Sequence, residues 1–360
     1  MRHDLTDLKS LVAEKVEALF GRSTRLTDMQ PLAGDASSRR YHRATLSGAG
    51  PGAVVVMQLG AGSGLPLSSE ELAIFNTPLT ELPFVNVHRF LSRVGVNVPK
   101  IYGHWEAEGI LLLEDLGDVA LWDCVNGAGA ETVLRWYQKA IDELLILQIR
   151  GTRARDDTCL AFQQRFDARL YMWEFDHFIE YGLQKRPGAR VSETAIRLLR
   201  AAFSEIAARL ERQTPCLNHR DYHSWNIMVR DQEVAVIDFQ DALLAPPQYD
   251  LASLLNDRET DRVISERLEN ELVAYYLDRR RELGEPVVDR AEFHAIYRLS
   301  VIQRDLKVVG RFYYLDTVKG KPGYRKFIPP TLRRLERNLA RSPEAARILP
   351  VLSEELEAMR

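Results

Sequence analysis

The chain has 360 residues, of which 46% are hydrophobic and 28% charged, an ordinary composition for a folded globular protein. Its formal net charge of −3 gives no sign of the basic surface that binds nucleic acid or an anionic membrane. No apolar run approaches the roughly 18 residues of a membrane span, and the length exceeds what one hydrophobic core usually supports, so two lobes are expected.

The cysteines and the amino terminus bear on the cellular compartment. Cys124, Cys159 and Cys216 are odd in number and widely spaced, which argues against a disulfide framework and against a zinc site. The first residues lead into an amphipathic pattern, without the apolar stretch of a secretory signal. We therefore expect a cytoplasmic protein with no nucleic-acid or membrane partner, and the sequence implies no obligate protein partner.

The first third of the chain mixes helical and strand-like patterns. The predicted elements are a helix over 8–20, strands over 26–32, 41–46 and 53–59, a helix over 84–94, and strands over 102–106 and 110–113. The last strand runs into Glu114-Asp115-Leu116-Gly117, which by itself indicates a strand exit with a glycine turn.

A turn of small residues at 33–38 precedes Arg39 and Arg40. Small residues allow a backbone turn to approach phosphate oxygens closely, and the hydroxyls of Ser37 and Ser38 and the two guanidinium groups can bind them. The turn holds one glycine and so lacks the G-x-G-x-x-G pattern. A polar hairpin with solvated arginines is an equally good interpretation of these residues alone.

From about residue 119 the hydrophobic pattern becomes helical. Amphipathic stripes predict helices over about 133–145, 166–181, 194–212, 251–255, 265–276 and 292–309.

Three oxygen-bearing side chains flank a predicted hairpin within this helical region. Asp221 and Asn226 lie in a loop, apolar runs at 227–229 and 234–237 form the hairpin, and Asp238 follows it. Phosphoryl transfer needs a carboxylate to orient the attacking hydroxyl and oxygen ligands to hold Mg²⁺ against the phosphates. Each residue alone is more often a turn former, but the set at this spacing indicates a phosphoryl-transfer site.

The loop 219–226, H-R-D-Y-H-S-W-N, is similar to the catalytic loop of protein kinases, H-R-D-x-x-x-x-N. The following segment, 238–252, resembles instead the aminoglycoside-phosphotransferase branch of the kinase-like superfamily. The resemblance implies that Asp221 is the catalytic base and that Asn226 and Asp238 are the Mg²⁺ ligands.

The resemblance also implies a fold. We expect an α+β, bilobal, protein-kinase-like protein with a small antiparallel β-sheet and one main helix in a nucleotide-binding lobe over 1–115. A larger, mainly helical lobe over 116–360 would carry the catalytic and acceptor-binding residues, with ATP between the lobes.

By the same resemblance, ATP is bound by Ser37, Ser38, Arg39 and Arg40 of the turn, over the phosphates, and by Glu114 and Leu116 of the hinge connection, at the adenine edge. The chain departs from protein kinases at Met57-Gln58, where the strand motif V-A-I-K carries a phosphate-binding lysine. A phosphate-facing cation must therefore come from elsewhere, and Arg39, Arg40 and Arg43 are candidates.

Four segments, at 34–41, 173–178, 238–242 and 303–310, resemble the anomeric sugar kinases that act on N-acetylmuramate and N-acetylglucosamine. The likeness implies phosphorylation of the C1 hydroxyl in cell-wall sugar recycling. That hydroxyl is more acidic than an ordinary alcohol, so a carboxylate can accept its proton.

Sugar hydroxyls pair with carboxylates and amides, which makes Glu174, Asp176 and Gln240 candidate acceptor-binding residues. The lactyl carboxylate of N-acetylmuramate calls for an arginine, and Arg304 or Arg311 could supply it. The alternatives are a solvated helix face for the two acids and an ion pair with a neighbouring carboxylate for Arg304.

Two other functions stay open at this point. A different acceptor, such as an aminoglycoside or a choline-like alcohol, would use the same fold; a polycationic aminoglycoside predicts an acidic pocket, whereas N-acetylmuramate predicts a basic one. A non-catalytic nucleotide-binding protein is suggested by Met57-Gln58, but the intact set of Asp221, Asn226 and Asp238 argues against it. Asp250 is expected to be structural, as a helix cap or a brace for the catalytic loop.

Overall fold

The computed structural model describes residues 5–32, 39–60, 70–75 and 77–359. Five strands form one antiparallel sheet: β1 (Arg25–Pro31), β2 (Arg40–Ser47), β3 (Ala53–Gln58), β4 (Ile101–Trp105) and β5 (Ile110–Glu114). They lie in the order β1-β2-β3-β5-β4, each antiparallel to its neighbour. The small antiparallel sheet predicted from the sequence is therefore confirmed.

Two helices, α1 (Leu5–Phe20) and α2 (Pro83–Val94), pack against opposite sides of this sheet. Successive side chains of a strand point to opposite faces. In β3, Val54 and Val56 accordingly join the core under α1, whereas Met57 joins the core that contains α2. The alternating apolar pattern of the sequence thus sorts each strand residue into one of two cores.

The rest of the described chain is mainly helical. Its α-helices are α3 (Leu121–Val125), α4 (Ala130–Leu145), α5 (Ala168–His177), α6 (Glu193–Glu211), α7 (Gln248–Leu255), α8 (Glu266–Glu282), α9 (Arg290–Thr317), α10 (Ile328–Ala340) and α11 (Ile348–Ala358). Short strands are β6 (Cys216–Asn218), β7 (Ile227–Arg230), β8 (Glu233–Val236) and β9 (Leu243–Ala245). Single π-helical turns, Ile146–Gly151 and Phe178–Gln184, extend α4 and α5.

Helix α9 runs through the centre of the helical region and is longer than the 292–309 expected from periodicity. It packs against α7, α10 and the π-helical turn after α5. Its buried residues include Asp305, which forms an ion pair of 2.6 Å with Arg334 of α10. None of the helices in the described ranges combines the length and the apolar character that crossing a membrane requires.

Gly310 marks the closest approach of α9 to the π-helical turn after α5. A Cβ atom added there would lie 2.7 Å from Cα of Phe178 and 3.1 Å from the carbonyl oxygen of His177. Backbone atoms at such distances cannot rotate away, so the two segments would have to separate. The absence of a side chain at position 310 therefore sets the spacing of the helices that carry part of the site described below.

We expect Gly310→Ala to lower the free energy of unfolding by about 1–3 kcal/mol, because overpacking outweighs the better helix propensity of alanine. Urea denaturation measures the change. Gly323→Ala is the matched control, since a Cβ at position 323 meets nothing within 4 Å. An unchanged midpoint for Gly310→Ala would mean that the helices can separate without cost.

Candidate active site

The predicted hairpin is present as β7 and β8. Ile227 pairs with Val236 at its open end. Asp231 and Gln232 form its turn with φ of 52° and 64°, the positive values that a tight two-residue hairpin turn requires. The hairpin places the residue that follows the loop 219–226 beside the last residue of β8.

Hydrogen bonds bring the three predicted oxygen-bearing residues to one edge of this hairpin. The amide nitrogen of the Asn226 side chain donates to the carbonyl oxygen of Asp221 at 3.0 Å. The N–H of Ile237 donates to the carbonyl oxygen of Asn226 at 3.0 Å, and Nε2 of His219 lies 2.9 Å from the carbonyl oxygen of Ile237. Asp238, the next residue, is thereby fixed beside the loop that carries Asp221.

The side chains of Asn226 and Asp238 fit a magnesium ion. Because Nδ2 of Asn226 is turned toward Asp221, its Oδ1 remains as a ligand atom. Asp238 is exposed and has a left-handed backbone, with φ of 63°, and Nε2 of Gln240 donates to its Oδ1 at 2.8 Å. One carboxylate and one amide are the hard oxygen ligands from which Mg²⁺ sites are built.

Asp250 braces the catalytic loop from inside. Its carboxylate accepts the backbone N–H groups of His219 at 2.5 Å and of Arg220 at 2.9 Å. Arg220 is buried and has a φ of 83°, a conformation that costs a non-glycine residue free energy and that these bonds help to hold. Burial raises the pKa of Asp250 to about 6, although the two N–H groups lower it. The structural role expected for this residue is therefore that of a loop brace.

Two cations from α9 face the candidate base. Oδ1 of Asp221 lies 3.7 Å from Nη1 of Arg304 and 3.8 Å from Nζ of Lys307. Burial would by itself raise the pKa of Asp221, but Lys307 and Arg304 outweigh it and hold the pKa well below its usual range. The side chain is still 38% exposed, so an acceptor can reach an ionised carboxylate.

Glu174 lies behind Asp221 and Lys307 and not on a solvated helix face. Its side chain is 1% exposed and its carboxylate contacts Nη2 of Arg220 at 3.2 Å and Nζ of Lys307 at 3.1 Å. Nε2 of Gln303 donates to its second oxygen at 2.6 Å. Glu174 therefore belongs to the site, with its two oxygens engaged by protein groups.

The other three candidates for acceptor binding lie in different places. Arg304 is buried, and its Nη1 donates to the carbonyl oxygen of Arg220 at 2.9 Å, so it supports the loop from behind. Gln240 contacts Asp238 as described above. Asp176 is not brought to the group: it lies on the surface and pairs with Arg200 of α6 at 2.9 Å. The reason is its spacing of two residues from Glu174, which places the two acids on different sides of α5.

Of the four candidate phosphate-binding residues, the structure describes Arg39 and Arg40. Ser37 and Ser38 lie outside the described residues. Arg39 is partly buried and Arg40, at the start of β2, is exposed. Burial raises the pKa of Tyr41, Arg39 lowers it, and Asp238 raises it. Tyr41 thus lies within electrostatic range of both Arg39 and Asp238.

Arg43 has a different role from the one considered for it. Its guanidinium group contacts both carboxylate oxygens of Asp115, at 2.7 and 3.1 Å, and Asp118 at 2.7 Å. These acids lie on either side of Gly117 in the connection that leaves β5. Arg43 thus fastens β2 to the connection, and its guanidinium group is already paired with two carboxylates.

The proposed adenine-binding residues lie in this connection. The N–H of Glu114 donates to the carbonyl oxygen of Lys100 at 2.8 Å, and its side chain contacts Arg230 at 3.1 Å. Leu116 follows and is partly buried. At the position of the kinase lysine, Met57 is fully buried in the core that contains α2.

Sequence analysis missed two members of the site, Lys307 and Tyr249. Nζ of Lys307 and Nη1 of Arg304 lie 3.5 and 3.4 Å from the hydroxyl of Tyr249. A usable signal was present, because a lysine three residues after Arg304 lies on the same face of a helix. What the pattern could not show is that this face points at Asp221.

Comparisons with known proteins identify the family of the chain. The sequence profile described as "Phosphotransferase enzyme family" matches residues 28–286. Two proteins named N-acetylmuramate/N-acetylglucosamine kinase are similar to the chain. The one from Pseudomonas aeruginosa is 29% identical and covers 91% of this chain and 88% of its own length. The one from Neisseria meningitidis serogroup B is 30% identical, and the similarity covers 91% of this chain and 90% of that protein.

Solved structures with the same fold are more distant in sequence. Choline kinase LicA from Streptococcus pneumoniae has a TM-score of 0.57 at 16% identity and covers 94% of this chain and 99% of its own. The ADP-bound aminoglycoside phosphotransferase APH(2'')-Ib has a TM-score of 0.55 at 13% identity. The similarity covers 92% of this chain and 98% of that chain. These likenesses confirm the bilobal, kinase-like α+β fold.

Proposed function

Because the chain belongs to the phosphotransferase enzyme family, we propose that it is an ATP-dependent sugar kinase that phosphorylates the anomeric C1 hydroxyl of N-acetylmuramate, N-acetylglucosamine or both. The observation that carries the proposal is the half-exposed, ion-paired carboxylate of Asp221, on a loop bonded to Asn226 and to the residue before Asp238. The names of the similar kinases from two bacteria support the choice of acceptor.

Asp221 would orient the acceptor hydroxyl for in-line attack on the γ-phosphorus. Its low pKa keeps it ionised at neutral pH and makes it a weak base. A weak base is sufficient, since phosphoryl transfer has a loose transition state in which little negative charge builds on the attacking oxygen before the proton moves. The anomeric hydroxyl suits such a base, because it is more acidic than an ordinary alcohol.

The nucleotide side follows from the same placement. Asp238 and Oδ1 of Asn226 would hold Mg²⁺, which neutralises phosphate charge when bound. The turn that precedes Arg39 and Arg40 would lie over the phosphates. The electrostatic influence of both Arg39 and Asp238 on Tyr41 supports this placement. Backbone groups of Glu114 and Leu116 would meet the adenine edge, at the boundary between a nucleotide-binding lobe over 1–115 and an acceptor-binding lobe over 116–360.

Charge near Asp221 does not by itself select the acceptor. Arg304 and Lys307 face the carboxylate from α9, but Asp221 and the buried Glu174 carry two compensating negative charges. The choice of an N-acetylated sugar over a cationic acceptor therefore rests on the names of the similar kinases. The likeness to choline kinases, at 16% identity or below in the structures compared here, extends to the fold alone.

A panel of acceptors scored for ADP release tests the function. The purified protein with Mg-ATP should release ADP in the presence of N-acetylmuramate or N-acetylglucosamine, and phosphate should appear on C1 by ³¹P NMR. Methyl glycosides of the same sugars, in which C1 carries no free hydroxyl, are the matched controls. Omitting Mg²⁺ should abolish turnover. Faster ADP release with choline or an aminoglycoside would overturn the assignment.

A further inference from the structure

Helix α9 places Lys307 between two carboxylates of the site. Its Nζ lies 3.1 Å from Oε1 of Glu174 and 3.8 Å from Oδ1 of Asp221, and 3.5 Å from the hydroxyl of Tyr249. The side chain is 14% exposed, so the ammonium group is reached from the site and little from bulk solvent. A cation in this position is attracted to both acids more strongly than a surface lysine would be.

The two cations on this face of α9, Arg304 and Lys307, make different contacts. Nη1 of Arg304 donates to the carbonyl oxygen of Arg220 at 2.9 Å, which supports the backbone of the loop. Among the described residues, the ammonium group of Lys307 contacts side chains, those of Glu174, Asp221 and Tyr249. Lys307 therefore acts on side chains of the site, whereas Arg304 contacts both the carboxylate of Asp221 and the backbone of the loop that carries it.

Both cations approach the same atom of Asp221, Oδ1. A carboxylate held through one oxygen presents the other in a fixed direction. Glu174 keeps the ammonium group in place from the far side, since Gln303 and Arg220 in turn fix its own oxygens. The result is a chain of contacts that begins in the buried polar cluster and ends at the candidate base.

Resting on the proposed kinase function, we propose that Lys307 is a positioning residue that holds Oδ1 of Asp221, so that Oδ2 meets the attacking hydroxyl. The competing explanation is structural: Lys307 would only balance the charge of buried Glu174. The two explanations differ in what happens when Glu174 loses its charge together with Lys307.

The test compares Lys307→Met, Lys307→Arg and the double variant Lys307→Met/Glu174→Gln, measuring kcat, the KM for ATP and thermal unfolding. We expect Lys307→Met to lower kcat by about 100-fold, as misplacement of a reacting group does, with the KM for ATP changed less than about twofold. Lys307→Arg should recover at least about tenfold of the loss. In the double variant the melting temperature should recover while kcat stays low.

Lys185→Met is the control, because it removes a lysine that pairs with a glutamate, Glu180, on the exposed surface. It should leave kcat unchanged. A kcat for Lys307→Met within about twofold of the wild type, or recovery of kcat in the double variant, would overturn the positioning role.

A second readout separates this proposal from the choice of acceptor. Asp221 would orient water as it orients a hydroxyl, so slow ATP hydrolysis without acceptor should fall in the same ratio in Lys307→Met. If the wild type hydrolyses ATP but phosphorylates no sugar, the proposed acceptor is refuted. The ratio of hydrolysis rates between Lys307→Met and the wild type still tests the role of Lys307. A wild type that neither hydrolyses ATP nor phosphorylates a sugar would refute both.

Discussion

Asp221→Asn is expected to lower kcat by roughly 10³-fold, the range seen when a positioned acid or base is lost. Asparagine has nearly the same shape, so the loop should keep its hydrogen bonds to Asn226 and His219. What disappears is the charge that accepts the hydroxyl proton and that Arg304 and Lys307 face. Nucleotide affinity should be retained, because the proposed metal ligands and the hinge connection are untouched.

Steady-state kinetics and calorimetric titration with Mg-ADP measure the two quantities for this variant. Asp278→Asn is the matched control, since Asp278 lies on α8 and pairs with arginines on the surface. A kcat within tenfold of the wild type would remove Asp221 from the reacting atoms. A loss of nucleotide affinity equal to the loss of kcat would point to collapse of the loop.

Asp250→Ala is the second large effect, and here we expect both stability and turnover to fall. The substitution leaves the buried N–H groups of His219 and Arg220 without their acceptor. Each unsatisfied group costs about 1–3 kcal/mol, so the free energy of unfolding should decrease by roughly 3 kcal/mol after allowing for release of a buried charge. Arg220 would also lose the contacts that hold its left-handed backbone, which displaces Asp221 beside it.

Asp250→Asn is a useful comparison with Asp250→Ala, because the amide oxygen of asparagine can still accept a hydrogen bond from one of the two N–H groups. Its loss of stability should be smaller than that of Asp250→Ala, and the order of kcat values should follow the order of stabilities. Chemical denaturation and steady-state kinetics on both variants give the comparison. Equal stabilities for Asp250→Ala and the wild type would show that water replaces the carboxylate as the acceptor.

The sequence was sufficient for the sheet, for the hairpin of β7 and β8 and for the closeness of Asp221, Asn226 and Asp238, because these depend on contacts between neighbouring segments. The roles of the three residues stay a prediction. Periodicity could also have separated Glu174 from Asp176, which point to different sides of α5. The final helices α10 and α11 were not predicted.

The support behind Asp221 could not be predicted in this way. Lys307 reaches Asp221 across 86 positions of the chain, and Asp250 reaches back to His219 from α7. Such contacts depend on how α7 and α9 pack, which local patterns do not encode. The same applies to Arg43, whose guanidinium group could serve a phosphate or a carboxylate until the fold brings Asp115 and Asp118 to it.

The clasp that Arg43 forms on both sides of Gly117 has a thermodynamic consequence for nucleotide capture. A glycine joint left unrestrained would sample many orientations and would lose that freedom each time a purine entered the cleft. Here the ionic contacts of Asp115 and Asp118 remove much of the freedom during folding. Under the proposed function, the entropic penalty of binding the base at this connection would be correspondingly smaller. High ionic strength, by weakening the ion pairs of Arg43, would return part of that penalty to the binding step.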